Sequence, residues 1–166
     1  MFNIANYKDK YKPVSVKAYD PANYLVGIGD LNPIFVSDCL VHVPNDIDFI
    51  LAVNNEQTSD GQLLNQIKDT GKRIYARIPL NDPCSDKDFR NFQEAVTWAL
   101  GAARTNNKVL IHCAAGINRS PSVACTAYAI LKKITIQEAV NLLSQTRTVH
   151  PDRDYLLMGQ YLNQEI

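Results

Sequence analysis

Lys108-Val109-Leu110-Ile111-His112-Cys113-Ala114-Ala115-Gly116-Ile117-Asn118-Arg119-Ser120 is the stretch whose reading decides the fold. Lys108 to Cys113 is nearly all apolar ahead of the histidine, as expected of a strand buried on both faces. Ser122 to Leu131 is rich in small residues, with Pro121 where a first helical turn tolerates proline, so a helix is expected there. A buried strand that passes through a short loop into a helix is one step of an α/β fold.

The flanking sequence repeats that alternation. Tyr24 to Ile28 reads as a short strand ended by the turn formers Gly29-Asp30, and Asp48 to Val53 as an apolar strand closed by Asn54-Asn55. Lys72 to Leu80 places Ile74, Ala76 and Ile78 at alternate positions, the pattern of a strand with one wet face. Ser85 and Asp88 form a capping box ahead of Phe89, Phe92, Val96, Ala99, Leu100 and Ala103 at helical spacing. Thr135 and Glu138 form a second box ahead of Ile136, Ala139, Val140 and Leu143, and Asp152 can cap a last helix with Tyr155, Met158 and Leu162. Phe89, Phe92 and Trp98 are expected in the core. The fold class expected is α/β, a central mostly parallel sheet of about four to five strands flanked by helices.

A length of 166 residues fits one domain, with the polar residues 1–22 as an N-terminal tail and 23–166 as the domain. Hydrophobic residues at 46% and charged residues at 20% exclude wholesale disorder. Lys plus Arg and Asp plus Glu are both 17, so no global field draws the chain to nucleic acid or to an anionic membrane. No apolar run is long enough to span a bilayer, and Met1 to Lys8 lacks the basic-then-apolar order of a signal peptide. Cys39, Cys84, Cys113 and Cys125 stand at irregular spacings without a CxxC, so reduced thiols are expected. The expectation is an intracellular protein of the cytoplasm, the nucleus or both, making no membrane contact. No HExxH, CxxC pair or carboxylate cage implies a metal, and no glycine fingerprint implies a nucleotide cofactor. His42 and His150 have no evident partners and read as ordinary residues.

Cys113 and Arg119 bracket five residues that, folded back on themselves, aim successive backbone N–H groups into one concavity. The following helix N-terminus adds unpaired donors, and Arg119 adds a planar fork matched to phosphate oxygens. Ala114, Ala115, Gly116, Ile117, Asn118 and Arg119 are therefore the candidate phosphate-binding positions. Gly116 supplies the backbone freedom for the reversal. A cysteine at the floor of such a field is favoured as thiolate, a nucleophile aimed at a bound phosphorus.

The run His112-Cys113-x5-Arg119-Ser120 resembles the signature loop of the cysteine-based protein tyrosine phosphatases, specifically their small dual-specificity branch. The resemblance implies that Cys113 attacks phosphorus, Arg119 binds phosphate, Ser120 stabilises the departing thiolate and His112 orients the loop. It also implies a general acid on an upstream loop. Asp82, 31 residues before Cys113 in Asn81-Asp82-Pro83-Cys84-Ser85-Asp86, matches that position. Asp86 and Asp88 are better explained as capping groups of the next helix. No cofactor is implied.

The substrate class implied is a phosphorylated protein, with phosphotyrosine and phosphoserine or phosphothreonine both reaching a shallow site. Members that take inositol phospholipids carry lysines in the loop, whereas Ala114, Ala115, Ile117 and Asn118 are uncharged. Gly116-Ile117-Asn118-Arg119 is similar to the branch acting on RNA 5′ ends, so an RNA 5′-triphosphatase or diphosphatase is one alternative. That branch tends to lack the upstream acid. A non-catalytic phosphoprotein-binding module is the other alternative. The loop is also similar to that of viral members that pair through an N-terminal segment, which leaves a monomer or a tail-mediated homo-oligomer. Cys84, beside Asp82 in sequence, is the candidate redox partner of Cys113, while Cys125 reads as core packing.

Overall fold

The computed structural model describes residues 29–38, 43–44, 46–55 and 73–166. The tail at 1–22, the strand expected at Tyr24–Ile28, Cys39 and His42 lie outside the described residues. Within them the chain builds strands β1 (Gly29–Leu31), β2 (Ile34–Ser37), β3 (Phe49–Ala52), β4 (Ile74–Arg77) and β5 (Val109–His112). Four helices accompany them: α1 (Phe89–Arg104), α2 (Arg119–Lys132), α3 (Ile136–Ser144) and α4 (Arg153–Leu162).

The strands form one sheet in the order β1-β2-β5-β3-β4, with β1 antiparallel to β2 and every other pairing parallel. This is the mostly parallel sheet the alternation of strands and helices predicts. Two expectations need correction at its edge. Gly29-Asp30 is not a turn but lies in β1, and the reversal falls at Asn32-Pro33. Ile34–Ser37 is then a strand that the sequence reading passes over. Gly29 belongs in β1 because a Cβ there would run into Leu143 and the Arg147 side chain, so its job is close approach rather than turning.

β5 is central and buried along its whole length, as its apolar run predicts. Its alternate residues face opposite layers. Val109 and Ile111 enter the main core with Leu51, Val123, Leu143 and Leu157, while Leu110 joins a small cluster of Val43, Ile47 and Ile50. Each such buried side chain contributes about 1.5–3 kcal/mol relative to exposure. His112 shares the face of Leu110 and lies against Tyr75, with ring centroids 6.4 Å apart. β4 is an edge strand whose first residue, Ile74, stays 53% exposed, so the dry side of the predicted alternation begins only after it.

α2 packs against α1, α3 and α4 as well as the sheet. That position explains its composition, because Ser122, Ala124, Cys125, Ala127 and Ala129 are buried and only small side chains let three helices approach. At Thr135 the cap bond forms, with Thr135 Oγ1 accepting from the Glu138 N–H at 3.1 Å, while the Glu138 carboxylate accepts from the Thr135 hydroxyl at 3.1 Å. At the other box, Ser85 N–H donates to Asp88 Oδ2 at 2.9 Å, and one turn of 3₁₀-helix at Asp86–Asp88 leads into α1. Phe92 is fully buried, stacked on Tyr155, while Phe89 and Trp98 pack against the core from its margin.

The register aligns Ser37, His112, Ala52 and Arg77 in one row at the carboxyl edge of the sheet. Beyond that row Val53 N–H still bonds His112 C=O, and Leu80 N–H bonds Val53 C=O, each at 2.9 Å. Three loops therefore leave side by side: Cys113 onward, Asn54-Asn55 and Leu80-Asn81-Asp82. Ligand sites of open α/β sheets lie at this edge.

Candidate active site

The loop after β5 closes into a cradle because its carbonyls are tied outward. Arg147, buried between α3 and α4 in sequence, donates from Nε to Gly116 C=O at 2.9 Å and from Nη2 to Ala115 C=O at 3.3 Å. The His150 N–H donates to Ile117 C=O at 2.8 Å. A trans peptide carries its C=O and the next N–H on opposite sides. Pinning carbonyls 115, 116 and 117 outward thus turns the N–H groups of Gly116, Ile117 and Asn118 inward. Gly116 N–H meets Cys113 Sγ at 3.2 Å, and Ser120 Oγ lies 3.2 Å from the same sulfur. Cys113 is buried at the floor of this nest.

Gly116 has φ +69°. A Cβ on it would press into the Arg147 guanidinium and sit 2.7–2.8 Å from the backbone of Ser37 and Asp38. We expect Gly116→Ala to destabilise the protein by about 2 kcal/mol or more, from left-handed strain plus collision with backbone that cannot yield. Activity should fall with it. Gly101→Ala is the control, since a Cβ there meets nothing and an exposed helical site gains about 0.5–1 kcal/mol. Urea unfolding of the two variants checks both signs.

α2 begins at Arg119, three residues earlier than the sequence reading places it, so Arg119 and Ser120 occupy its first turn. Arg119 is buried and donates from Nη1 to Asn55 Oδ1 at 3.0 Å and to Leu80 C=O at 3.2 Å. Asn55 Nδ2 in turn donates to Asn81 Oδ1 at 2.9 Å. The loop carrying Asp82 is braced by Asp88, whose Oδ1 accepts from Asn81 N–H and Nδ2 at 3.1 and 2.9 Å. Tyr155 Oη–H donates to Asn81 C=O. Asp88 is therefore a buried brace, in keeping with its reading as a capping group.

Asp82 stands exposed at the rim with Oδ1 3.0 Å from Asn118 Nδ2. Asn118, counted among the phosphate-binding positions for its backbone N–H, turns its side chain to two carboxylates. Asp152 sits at the N-cap of α4 but makes no side-chain cap bond. Its Oδ2 accepts from Asn118 Nδ2 at 2.9 Å and from Cys84 N–H at 3.0 Å. The cap role expected of it is replaced by a contact across the site. Ala114 and Ala115 line the loop half-buried, ahead of Gly116.

Cys84 does not join Cys113. Its sulfur lies 3.6 Å from Ser85 C=O and 4.0 Å from Met158 Sδ, and burial together with Asp88, Asp154 and Asp152 pushes its thiol well above the usual range. A thiol held protonated is a poor resolving nucleophile, so this geometry lends the redox pairing no support. Cys125 is fully buried, with its thiol also pushed up by burial.

His112 is completely buried, and neither ring nitrogen has a hydrogen-bond partner of good geometry among the described residues. Burial pushes its pKa down from 6.5 to about 4, with the Cys113 backbone opposing and the Arg77 charge adding to the fall. His112 is therefore neutral, packed on Tyr75. Its unfolded form takes a proton near pH 6.5 and its folded form only near pH 4, so stability falls as pH drops through that window. The loss through this group amounts to about 3 kcal/mol. Urea unfolding from pH 7 to pH 4 should show His112→Gln, whatever its starting stability, losing less than the parent. Parallel curves would refute it.

Among the described residues no three His, Cys, Asp or Glu side chains converge as a metal site requires, and no helix is long and apolar enough to cross a membrane.

Residues 37–163 match the family described as dual specificity phosphatase, catalytic domain. Human dual specificity protein phosphatase 5 is 37% identical over 93 residues, 55% of this chain and 23% of that protein. The chain thus spans about a quarter of the length of such curated relatives. The crystal structure of a mouse putative dual specificity phosphatase complexed with zinc tungstate superposes with a TM-score of 0.67 at 18% identity, covering 93% of this chain and 94% of that one. The human tyrosine phosphatase-like serine/threonine/tyrosine-interacting protein gives 0.65 at 17%, covering 85% and 97%. These are animal proteins and lend the viral resemblance of the loop no support.

Proposed function

The chain belongs to the dual specificity phosphatase catalytic-domain family, and from that premise we propose that it hydrolyses phosphotyrosine and phosphoserine or phosphothreonine monoesters of proteins through a cysteinyl-phosphate on Cys113. The observation that carries the reading is the convergence on one sulfur of the Gly116 N–H and the Ser120 hydroxyl, with a carboxyl group of the neighbouring loop tied to the cradle.

The phosphate dianion binds the N–H groups of the loop and the Arg119 guanidinium, fixed donors that need no reorganisation as charge shifts. Cys113 thiolate attacks phosphorus, the S–P bond forms as the P–O ester bond breaks, and the proton on Asp82 passes to the leaving oxygen. Water then attacks the cysteinyl-phosphate. Asp82 takes its proton, inorganic phosphate departs, and Ser120 Oγ–H stabilises the returning thiolate. Nothing in these steps calls for a metal or cofactor. Domain limits of 23–166 with a tail at 1–22, an intracellular setting and a monomer or tail-mediated oligomer belong to the same reading.

The test is one panel under one set of conditions: phosphopeptides, inositol phosphates and 5′-triphosphate RNA. Phosphopeptides should turn over fastest. Preference for RNA would replace the reading with the 5′-end alternative, and stoichiometric binding without turnover would replace it with the phosphoprotein-binding module. Asp82 weighs against the first, and Cys113, Arg119 and Asp82 together weigh against the second.

A further inference from the structure

Asn118 meets two carboxylates with one amide. Its Oδ1 accepts the Asp152 backbone N–H at 2.6 Å, which fixes the orientation of the amide and leaves Nδ2 as the only donor. The two hydrogens of that Nδ2 point to Asp82 Oδ1 at 3.0 Å and Asp152 Oδ2 at 2.9 Å. Asp152 Oδ2 holds the Cys84 N–H as well, two residues past Asp82. Three separate pieces of chain are joined at this point: the acid loop, the N-terminus of α2 and the N-terminus of α4. Asn118 is 8% exposed, so its end of the junction is shielded from water, while Asp82 reaches in from the exposed rim.

We propose that Asn118 and Asp152 form a latch that fastens the acid loop to the phosphate cradle and dictates which oxygen of Asp82 delivers the proton. Because Asn118 Nδ2–H occupies Oδ1, that oxygen can only accept, and the proton of the acid resides on Oδ2. In the first step the Oδ2–H bond breaks as the leaving oxygen gains the proton and the P–O bond cleaves. In the second, Oδ2 accepts a proton from water. Asn118 touches neither phosphate nor leaving group through its side chain, so it is a positioning residue acting through Asp82. The inference rests on the phosphatase reading.

A latch has a signature that general loosening of the loop lacks. Esters with poor leaving groups need the proton, whereas activated aryl phosphates need it little. Asn118→Ala should therefore raise the ratio of aryl to alkyl phosphate turnover (p-nitrophenyl phosphate against phosphoserine peptide) roughly tenfold, part of the range a positioned acid supplies. Asp152→Ala should move the ratio the same way, and Asp152→Asn, which keeps an acceptor, should restore much of it. In an Asp82→Asn background, Asn118→Ala should leave the ratio where Asp82→Asn put it. An unchanged ratio in Asn118→Ala, or effects that multiply in the double variant, would overturn the latch. A parent protein inactive on both esters would overturn the phosphatase reading itself and the latch with it.

Discussion

Cys113→Ser should abolish turnover of every phosphomonoester while the protein still binds a phosphate analogue such as vanadate or tungstate. The cradle does not depend on the sulfur for its shape. Carbonyls 115, 116 and 117 are fastened by Arg147 and the His150 N–H, and Arg119 is seated on Asn55 and Leu80. A serine hydroxyl fits the space but is not anionic near neutral pH, so it cannot open the reaction. The expected loss is at least about 10⁴-fold, because both chemical steps pass through the sulfur–phosphorus bond. Steady-state turnover and calorimetric binding on the same preparation separate lost chemistry from lost fold. Parent-like turnover would remove Cys113 as nucleophile.

Asp82→Asn should have the second largest effect, confined to one class of substrate. The amide keeps the size of the carboxyl group, and its Oδ1 can still accept from Asn118 Nδ2, so the loop stays in place. What is lost is the proton. Alkyl phosphates should slow by about 10²–10⁴-fold, the usual worth of a general acid, and activated aryl phosphates by far less. Equal loss on both substrates would move the acid role elsewhere. Asp88 is a poor substitute, since both its oxygens already hold the Asn81 and Ser85 backbone.

The parts of this site that sequence exposes are those carried by consecutive residues. The β5–loop–α2 run shows its strand by unbroken apolarity and its cradle by Cys113, Gly116 and Arg119 at fixed offsets. The capping signals at Ser85 and Thr135 are equally local: the box forms at Ser85, and the Thr135 hydroxyl caps the Glu138 N–H. What sequence hides is partnership between distant segments. Arg147 is one arginine in a polar stretch until the fold buries it against carbonyls 31 and 32 residues away. Asn55 reads as a strand terminator, and only the pairing of β3 between β5 and β4 sets it beside Arg119 and Asn81. Asp152 looks like an N-cap, and it occupies that position, but two N–H donors across the site (Asn118 and Cys84) engage its side chain instead. β2 escapes for a different reason. Four residues after a proline carry too little periodicity, and its pairing with β5 supplies the rest.

The arrangement around Cys113 also explains why carbonyl placement matters as much as charge. Arg147 never faces the concavity through the contacts it makes at Ala115 and Gly116, yet it sets the direction of the N–H groups that do. Asn118 acts by the same logic on Asp82. In the proposed reaction both residues would shape the field at phosphorus by holding other groups still, which is where preorganised catalysis draws its advantage.

The most direct test of the central claim is to capture the covalent intermediate. Enzyme mixed with an aryl phosphate carrying a labelled phosphoryl group, quenched within one turnover and digested, should yield the label on the peptide containing Cys113 and on no other. Turnover without labelled enzyme, or label recovered on a different residue, would contradict the account of Cys113 as the nucleophile.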